Sequence, residues 1–421
     1  MHCNKNLTIN NVISGLLPIN HRYQMKKIIP VIVLFLGSVT VFSQANYIII
    51  TGKVVLASSR QPLQGASVFA QNTTLGTATD AEGNFKLYLP DGGYTISVTF
   101  TGYNTESRRI STSDADDRKI VFEMSEKEKE METVAIVSTG EVKDGWIKYG
   151  QFFTDKFIGQ TTNSGACVLK NPEILKFYFS KKRNRLKVVA AEPLVIENRA
   201  LGYNIKYALD SFTYEYNTEV NVYTGSPLFE EKTTTDSVQI IKWNIARQKA
   251  YKGSVLHFMR SLYEKKLKEE GFEIQFLVNV NDKETSLPLK DPYKSLNYTK
   301  DDSTLLVEIK PNQPRVGVIY LKEKPSDVYS ALLPDEPADF QFSVLGFLTK
   351  ESLGIEQNGY YFDQEDLAIS AYWTWDKVGD LLPYDYGREP MKIVTESSNV
   401  TEAIISPAIP EVKLPEPGAQ Q

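Results

Sequence analysis

The chain has two cysteines and three histidines among its 421 residues, and each scarcity excludes something. Cys3 lies far upstream, which leaves Cys167 alone in the body of the chain. One thiol forms no internal disulfide, so an apolar core must hold the fold without a covalent staple. His257 is alone beyond residue 24. Charge of one sign is also lacking: the net formal charge is −5 and the pI about 5.6, so no basic field points to nucleic acid. Long apolar runs are missing as well. The best of them, residues 28–37, is too short and too quickly followed by polar text to span a bilayer comfortably.

That short run reads instead as an export signal. Lys26 and Lys27 form a positive n-region, the apolar stretch follows, and Ser43 and Ala45 place small residues at a cleavage site. Met25 is then expected to be the start, with residues 1–24 an upstream extension and 25–45 the signal peptide. The cysteine that a lipoprotein signal needs after its apolar core is missing. The expected product is exported and periplasmic or outer-membrane-associated, not integral to the membrane. Cleavage near Ala45 leaves about 377 residues (421 minus 44), room for two or three domains.

Residues 46–124 alternate like short β-strands separated by turns. Phe85, Leu87 and Leu89 point one way, Tyr94, Ile96, Val98 and Phe100 repeat the period, and Ile120 and Phe122 close the set. Asp80-Ala81-Glu82-Gly83 and Pro90-Asp91-Gly92-Gly93 supply the turns. Two layers of strands are the natural way to bury such faces. Asp80 and Glu82 also invite a calcium reading, but calcium takes six to eight oxygen ligands, and a turn capping its own backbone is the simpler account.

These residues resemble the carboxypeptidase regulatory-like domain, a transthyretin-like or Ig-like sandwich of exported Bacteroidota proteins. The resemblance rests on Gly52-Lys53-Val54-Val55, Pro62-Leu63-Gln64-Gly65-Ala66-Ser67-Val68, Thr79-Asp80-Ala81-Glu82-Gly83-Asn84-Phe85 and Gly102-Tyr103. It implies no enzyme activity, because the zinc and catalytic residues of metallocarboxypeptidases belong to a separate domain. That domain needs two histidines and a glutamate on the metal, which a chain left with His257 alone does not supply. Residues 125–145 begin as a charged linker and include a β-prone run, 134–137, suited to adding an edge strand. They resemble the segment after this sandwich in SusC-like TonB-dependent transporters, whose plug and barrel need far more strands than remain here.

Residues 146–402 read as a mixed α+β domain, followed by a loose tail, 403–421, rich in Pro, Glu, Ala and Gln. Trp146, Tyr149, Phe152, Phe153 and Phe157 recur at helical spacing, with Gly159 as the stop. Residues 184–216 read as strands. A helix is expected over 244–270, with an apolar stripe of Val255, Phe258, Met259 and Leu262, weakened at Gly253 and stopped at Gly271. Residues 282–302 read as a long loop. The whole is expected to be mainly β with α: a sandwich, then α+β. The motifs at 157–167, 171–175, 192–207, 251–262 and 372–386 resemble a Bacteroidota family of carboxypeptidase-like regulatory domain-containing proteins. In that family the same sandwich precedes a mixed domain. The resemblance transfers no activity.

Four features invite a functional reading. Glu192 and Glu197 flank an apolar strand, but their odd spacing sends them to opposite faces. A glycosidase-like pair needs both carboxyls across one cleft. Alternatively, Glu197 accepts hydrogen bonds from Arg199 while Gly202 bends the chain. His257, with Lys252 and Arg260 on one helix, is either an anion ligand or a structural histidine among apolar neighbours. Cys167 lacks an adjacent base, and Ser164 and Ser254 lack a nucleophile elbow. In "YWTWDKVGDLLPYDY", Trp373, Trp375, Asp376, Tyr384 and Asp385 form either an acid-bordered aromatic platform for a glycan or peptide, or part of a core. No metal, cofactor or nucleic acid is implied. The expected role is a non-enzymatic interaction with an envelope protein or glycan, peripheral to an outer-membrane complex. The alternative is a carboxylate-dependent hydrolase acting on an envelope or imported polymer.

Overall fold

The computed structural model describes residues 47–114, 118–127, 141–348, 352–362 and 367–387. The expected extension and signal peptide (1–45), the β-prone run at 134–137 and the expected tail lie outside them. The architecture is mainly β with a smaller helical share, as the alternating text implies.

The first layers are a sandwich. One sheet joins β1 (Tyr47–Leu56), β4 (Asn84–Pro90) and β7 (Lys119–Met124) in the order β4-β1-β7. The other joins β2 (Ser67–Ala70), β3 (Gly76–Ala78), β5 (Gly93–Thr99) and β6 (Glu106–Ser111) in the order β3-β2-β5-β6. β1 runs antiparallel to β4 but parallel to β7, with Val54 opposite Phe122. The alternating residues fill the space between the sheets: Leu89, Ile96, Val98, Ile110 and Ile120 are all fully or almost fully buried. Asp80 caps its own turn, its carboxylate accepting the backbone N–H groups of Glu82 at 3.0 Å and Asn84 at 2.7 Å.

The chain re-enters described territory by adding to the next sheet. Glu141 bridges Tyr178, and the Val142 N–H donates to Phe177 O at 2.8 Å. Helix α1 (Gly145–Phe157) follows as its aromatic spacing predicts, and Gly159, at φ +114°, turns the chain away. A single helical turn, α2 (Thr162–Gly165), leads to β8 (Cys167–Leu169), β9 (Leu175–Ser180), β10 (Arg185–Ala190), β11 (Leu194–Asn198), β12 (Tyr203–Glu215) and β13 (Val220–Glu231). β12 organises this sheet. On one edge its first half pairs with β11 and its second with β10, while β13 runs along the other edge. Phe153 and Phe157 of α1 reach down onto it, each meeting a ring edge-to-face, Phe212 and Tyr207 respectively, about 5 Å away.

The helical reading of 244–270 needs correction. Three helices occupy the region: α3 (Ser237–Tyr251), α4 (Val255–Tyr263) and α5 (Leu267–Glu270). Asp236 starts the first, seven residues early, by accepting the Val238 N–H at 2.9 Å. Gly253 ends continuity between α3 and α4. At φ +75° it holds a left-handed conformation, and a Cβ there would lie 2.4 Å from Gln341 Oε1. Its N–H donates to His257 Nδ1 and its carbonyl accepts the Trp373 indole N–H, so the break is bonded on both sides.

The remaining strands build a second sheet of the mixed region and a small satellite. β14 (Phe272–Val280) pairs with β15 (Lys283–Pro288), then follow α6 (Pro292–Ser295), β16 (Thr299–Lys300), β17 (Val307–Ile309), β18 (Arg315–Tyr320), α7 (Asp327–Leu332), β19 (Gln341–Phe347), β20 (Leu353–Ile355) and β21 (Leu367–Ala371). The large sheet has the order β15-β14-β18-β19-β21 and the satellite β16-β17-β20. Residues 282–302 are therefore not a loop. They hold a hairpin strand and a helical turn, and Asn281-Asp282, both at positive φ, make the two-residue hairpin connection. Every residue of β15 is exposed, so the strand carries no apolar alternation to read.

The sandwich is seated against the mixed region. Its β2–β3 turn extends β13: the Asn72 N–H donates to Pro227 O at 2.7 Å and the Phe229 N–H to Thr73 O at 2.9 Å. Gln71 donates to Ser226 Oγ at 2.7 Å, Asn358 to Gly93 O at 2.8 Å, and the Arg109 guanidinium lies 3.3 Å from the Phe362 ring centre.

Candidate interaction surface

The structure separates the two glutamates of the 192–207 motif. Glu192 sits in the exposed bend before β11. Glu197, on β11, is ringed by cations: Lys232 Nζ at 2.5 Å, Lys170 Nζ at 3.0 Å and Arg199 Nη2 at 3.2 Å. Hydrogen bonds from Lys232, Lys170 and Arg199, in that order of effect, lower its carboxyl pKa to about 2. A folded pKa below the unfolded one stabilises the protein above about pH 4.5, and that share is lost as pH falls toward 2. Glu197→Gln is expected to flatten the acid limb of the stability curve over that interval and to cost about 1–2 kcal/mol at neutral pH. Urea titrations at a series of pH values check this, and an unchanged acid limb would contradict it.

The turn that follows explains the rest of the motif. Asn198 is fully buried, its amide donating to Gly379 O and its side-chain carbonyl accepting the Leu201 N–H. Gly202, at φ +70°, sits so close to Trp243 that a Cβ would lie 2.4 Å from the indole. The buried Arg247 donates to Leu201 O at 2.7 Å and Gly202 O at 3.2 Å, pairs with Glu231 and covers the Tyr203 ring at 4.1 Å. The motif is a strand-to-strand turn clamped by α3.

His257 is buried among Tyr251, Phe272 and Tyr320. Its Nδ1 accepts the Gly253 N–H, which assigns the proton to Nε2, 3.2 Å from Glu270 Oε2. Burial lowers its pKa, against an opposing pull from Glu270. Arg260 of the same helix turns elsewhere, donating to Asn358 O, Tyr386 O and Tyr384 O at 3.1, 3.0 and 2.8 Å. Cys167 donates to Asn163 O, and burial, with the Asp380 charge, pushes its thiol up to about 12. Neither nitrogen of His257 is turned to that thiol.

The aromatic motif is distributed over three environments. Trp373 is a core residue, its indole N–H bonded to Gly253 O at 2.7 Å and its ring against Phe258. Trp375 is half-buried on Tyr329, and the half-buried Asp376 has its pKa pushed well above the usual range by burial, then by Asp380 and Glu323. Asp380 accepts from Thr161 at 2.7 Å and Asn163 at 3.0 Å, which ties this motif to the one at 157–167. Tyr384 and Asp385 belong to the seam with the sandwich. The Tyr384 N–H donates to Asn72 O at 2.7 Å, and the Asp385 carboxylate accepts both the N–H and the hydroxyl of Thr74.

A surface that the sequence reading passed over lies on α3. Its inner side buries Trp243 and Arg247, while Val238, Ile241 and Ile245 are 59%, 51% and 42% exposed. Spacings of three and four put them on one face, beside the exposed Lys242 and Lys249. Asp236 at the N-cap was the available signal, since it moves the helix start ahead of Val238.

Among the described residues no histidine, cysteine, aspartate and glutamate side chains converge to hold a metal ion, and no helix is long and apolar enough to cross a membrane. Residues 50–136 match the family model of the CarboxypepD_reg-like domain, a non-catalytic Ig-like fold. TonB-dependent receptor P3 of Formosa agariphila is 21% identical over 120 residues, 28% of this chain. The match spans 11% of that receptor's length. A crystal structure of a 9R-lipoxygenase from Cyanothece aligns over 56% of this chain and 52% of its own, at 9% identity and a TM-score of 0.15, too loosely to describe a shared fold.

Proposed function

We propose that this is a non-enzymatic, exported cell-envelope protein that works by holding another envelope protein, with the outward face of α3 as the contact. The exposed Val238, Ile241 and Ile245 stripe carries the proposal, because a solvated helix ordinarily turns polar residues outward. The β11–β12 turn supports it by giving α3 a firm base: Trp243 donates to Arg199 O at 3.0 Å and Arg247 clamps the 198–202 turn. The surroundings of the two glutamates support the non-enzymatic reading, since Glu197 is held ionised by three cations while Glu192 lies apart in an exposed bend. The similarity to a TonB-dependent receptor and the export signal expected at residues 25–45 support a setting on the periplasmic side of the outer membrane.

The double substitution Ile241→Asp with Ile245→Asp is expected to reduce capture of the partner from gently extracted envelopes at least about tenfold, because desolvating two charges opposes burial. The melting temperature should stay within about 2 °C, as both sites are exposed surface positions. Undiminished capture by the folded variant would refute α3 as the contact. Failure of the unsubstituted protein to recover any envelope protein would refute the interaction itself.

A further inference from the structure

A shallow open cleft of about 450 Å³ lies where α4 ends, lined by Tyr263, Glu264, Lys265, Lys266, Tyr298 and Lys300. Three cations face one carboxylate there, and the carboxylate is spoken for: Glu264 pairs with Lys266 at 2.5 Å. The other two ammonium groups rest on aromatic faces, Lys265 over Tyr298 and Lys300 over Tyr263, each 4.3 Å from the ring centre. A cation over a tyrosine face gains about 0.5–1 kcal/mol at an exposed site, and its outer hemisphere stays open to an anion.

The platform is fixed from beneath. Tyr263 Oη donates to Leu305 O and Tyr298 Oη to Tyr263 O, both at 2.8 Å, so neither ring is free to swing. Two helix ends turn the chain here: the Lys266 N–H donates to Ser261 O at 2.8 Å after α4, and the Tyr298 N–H to Tyr293 O at 2.9 Å after α6. Lys265, Asn297 and Leu305 all hold left-handed conformations, at φ 58°, 49° and 57°. Lysine and leucine pay a steric cost there that a simple turn would avoid with glycine. Locked rings and two ammonium groups with no carboxylate partner among the described residues meet in one concave place.

We infer that this cleft binds an anionic monosaccharide unit, a hexuronate or a sugar phosphate, through Lys265 and Lys300. Its oxyanion is held between the two ammonium groups. Glu264 at the rim accepts hydroxyl hydrogen bonds and repels a second dense charge, which favours a hydroxylated ligand of low charge over a polyanion. The cleft has room for such a ring, and its volume falls within the range of small-molecule sites. This site is independent of the α3 contact, and neither proposal needs the other.

The test titrates the full chain with glucuronate, glucose 6-phosphate, glucose and inorganic phosphate, by calorimetry at low salt. Saturable binding of glucuronate or glucose 6-phosphate is expected, and which of the two binds tighter identifies the anionic group. Glucose should bind at least about tenfold more weakly, and raising salt to about 0.2 M should weaken binding several-fold. Lys265→Gln and Lys300→Gln should each weaken it by about five- to tenfold, with unchanged circular dichroism. Absence of saturable binding by either anionic sugar at about 20 mM would overturn the inference. So would equal affinity for glucose or inorganic phosphate, or unchanged binding by the folded double variant.

Discussion

Trp373→Ala is expected to destabilise the protein by about 3–5 kcal/mol and to lower its melting temperature by about 5–15 °C. The side chain is 6% exposed and packs on Phe258, so truncation leaves a cavity in the core between α4 and the β14–β21 sheet. It also removes the indole N–H from Gly253 O, the carbonyl of the residue that breaks α3 from α4. Trp373→Phe keeps most of the volume and isolates the hydrogen bond, so it should cost about half as much. Thermal melts of both variants check the ordering. A loss below about 1 kcal/mol for Trp373→Ala would mean that the ring is not core and would revive the exposed-platform reading.

Arg247→Ala should be comparably severe, at about 3–5 kcal/mol, for an electrostatic reason. The guanidinium is 6% exposed and serves Leu201 O, Gly202 O and the Glu231 carboxylate at once. Its removal leaves two carbonyls and a charge without their donor, and breaking a partly buried pair from one side costs more than the pair itself is worth. Arg247→Lys should recover only part of the loss, because a single ammonium cannot span three acceptors in the guanidinium plane. Denaturant titration of both variants supplies the comparison. Full recovery by lysine would show that charge alone, rather than the planar fork, holds the 198–202 turn.

What the sequence made legible follows from what its residues were doing locally. The sandwich strands could be read because Phe85, Leu87 and Leu89, and then Tyr94, Ile96 and Val98, repeat the period of a one-sided strand. Helix α1 could be read because its rings recur on one face. β15 could not, since all six of its residues are exposed and only the Asn281-Asp282 turn announced it. The α3–α4 break was visible as Gly253, yet a glycine alone does not distinguish a weak helical residue from a stop. Its two bonding partners come from His257 and Trp373.

The candidate site was less legible because its pairings are long-range. Glu197 was readable in part, through Arg199 two residues away, but Lys170 and Lys232 reach it only by folding. The 372–386 motif looks like one aromatic patch in the text. In space it divides between a core at Trp373, an acid pair of half-buried Asp376 and buried Asp380, and a seam at Tyr384 and Asp385. Sequence proximity grouped residues that the fold uses separately.

The bond between Thr74 and Asp385 joins residues 311 positions apart, and this sets the order in which an emerging chain can complete that surface. By residue 124 the strands of the sandwich have all been made, but its Asn72–Thr74 edge then has nothing to pair with. β13 arrives about a hundred residues later and covers part of that edge; Tyr384 and Asp385 complete the cover only near the end of the described chain. An open strand edge is a template for unwanted pairing throughout that interval. The edge that emerges first is therefore the part of the chain left longest without its cover.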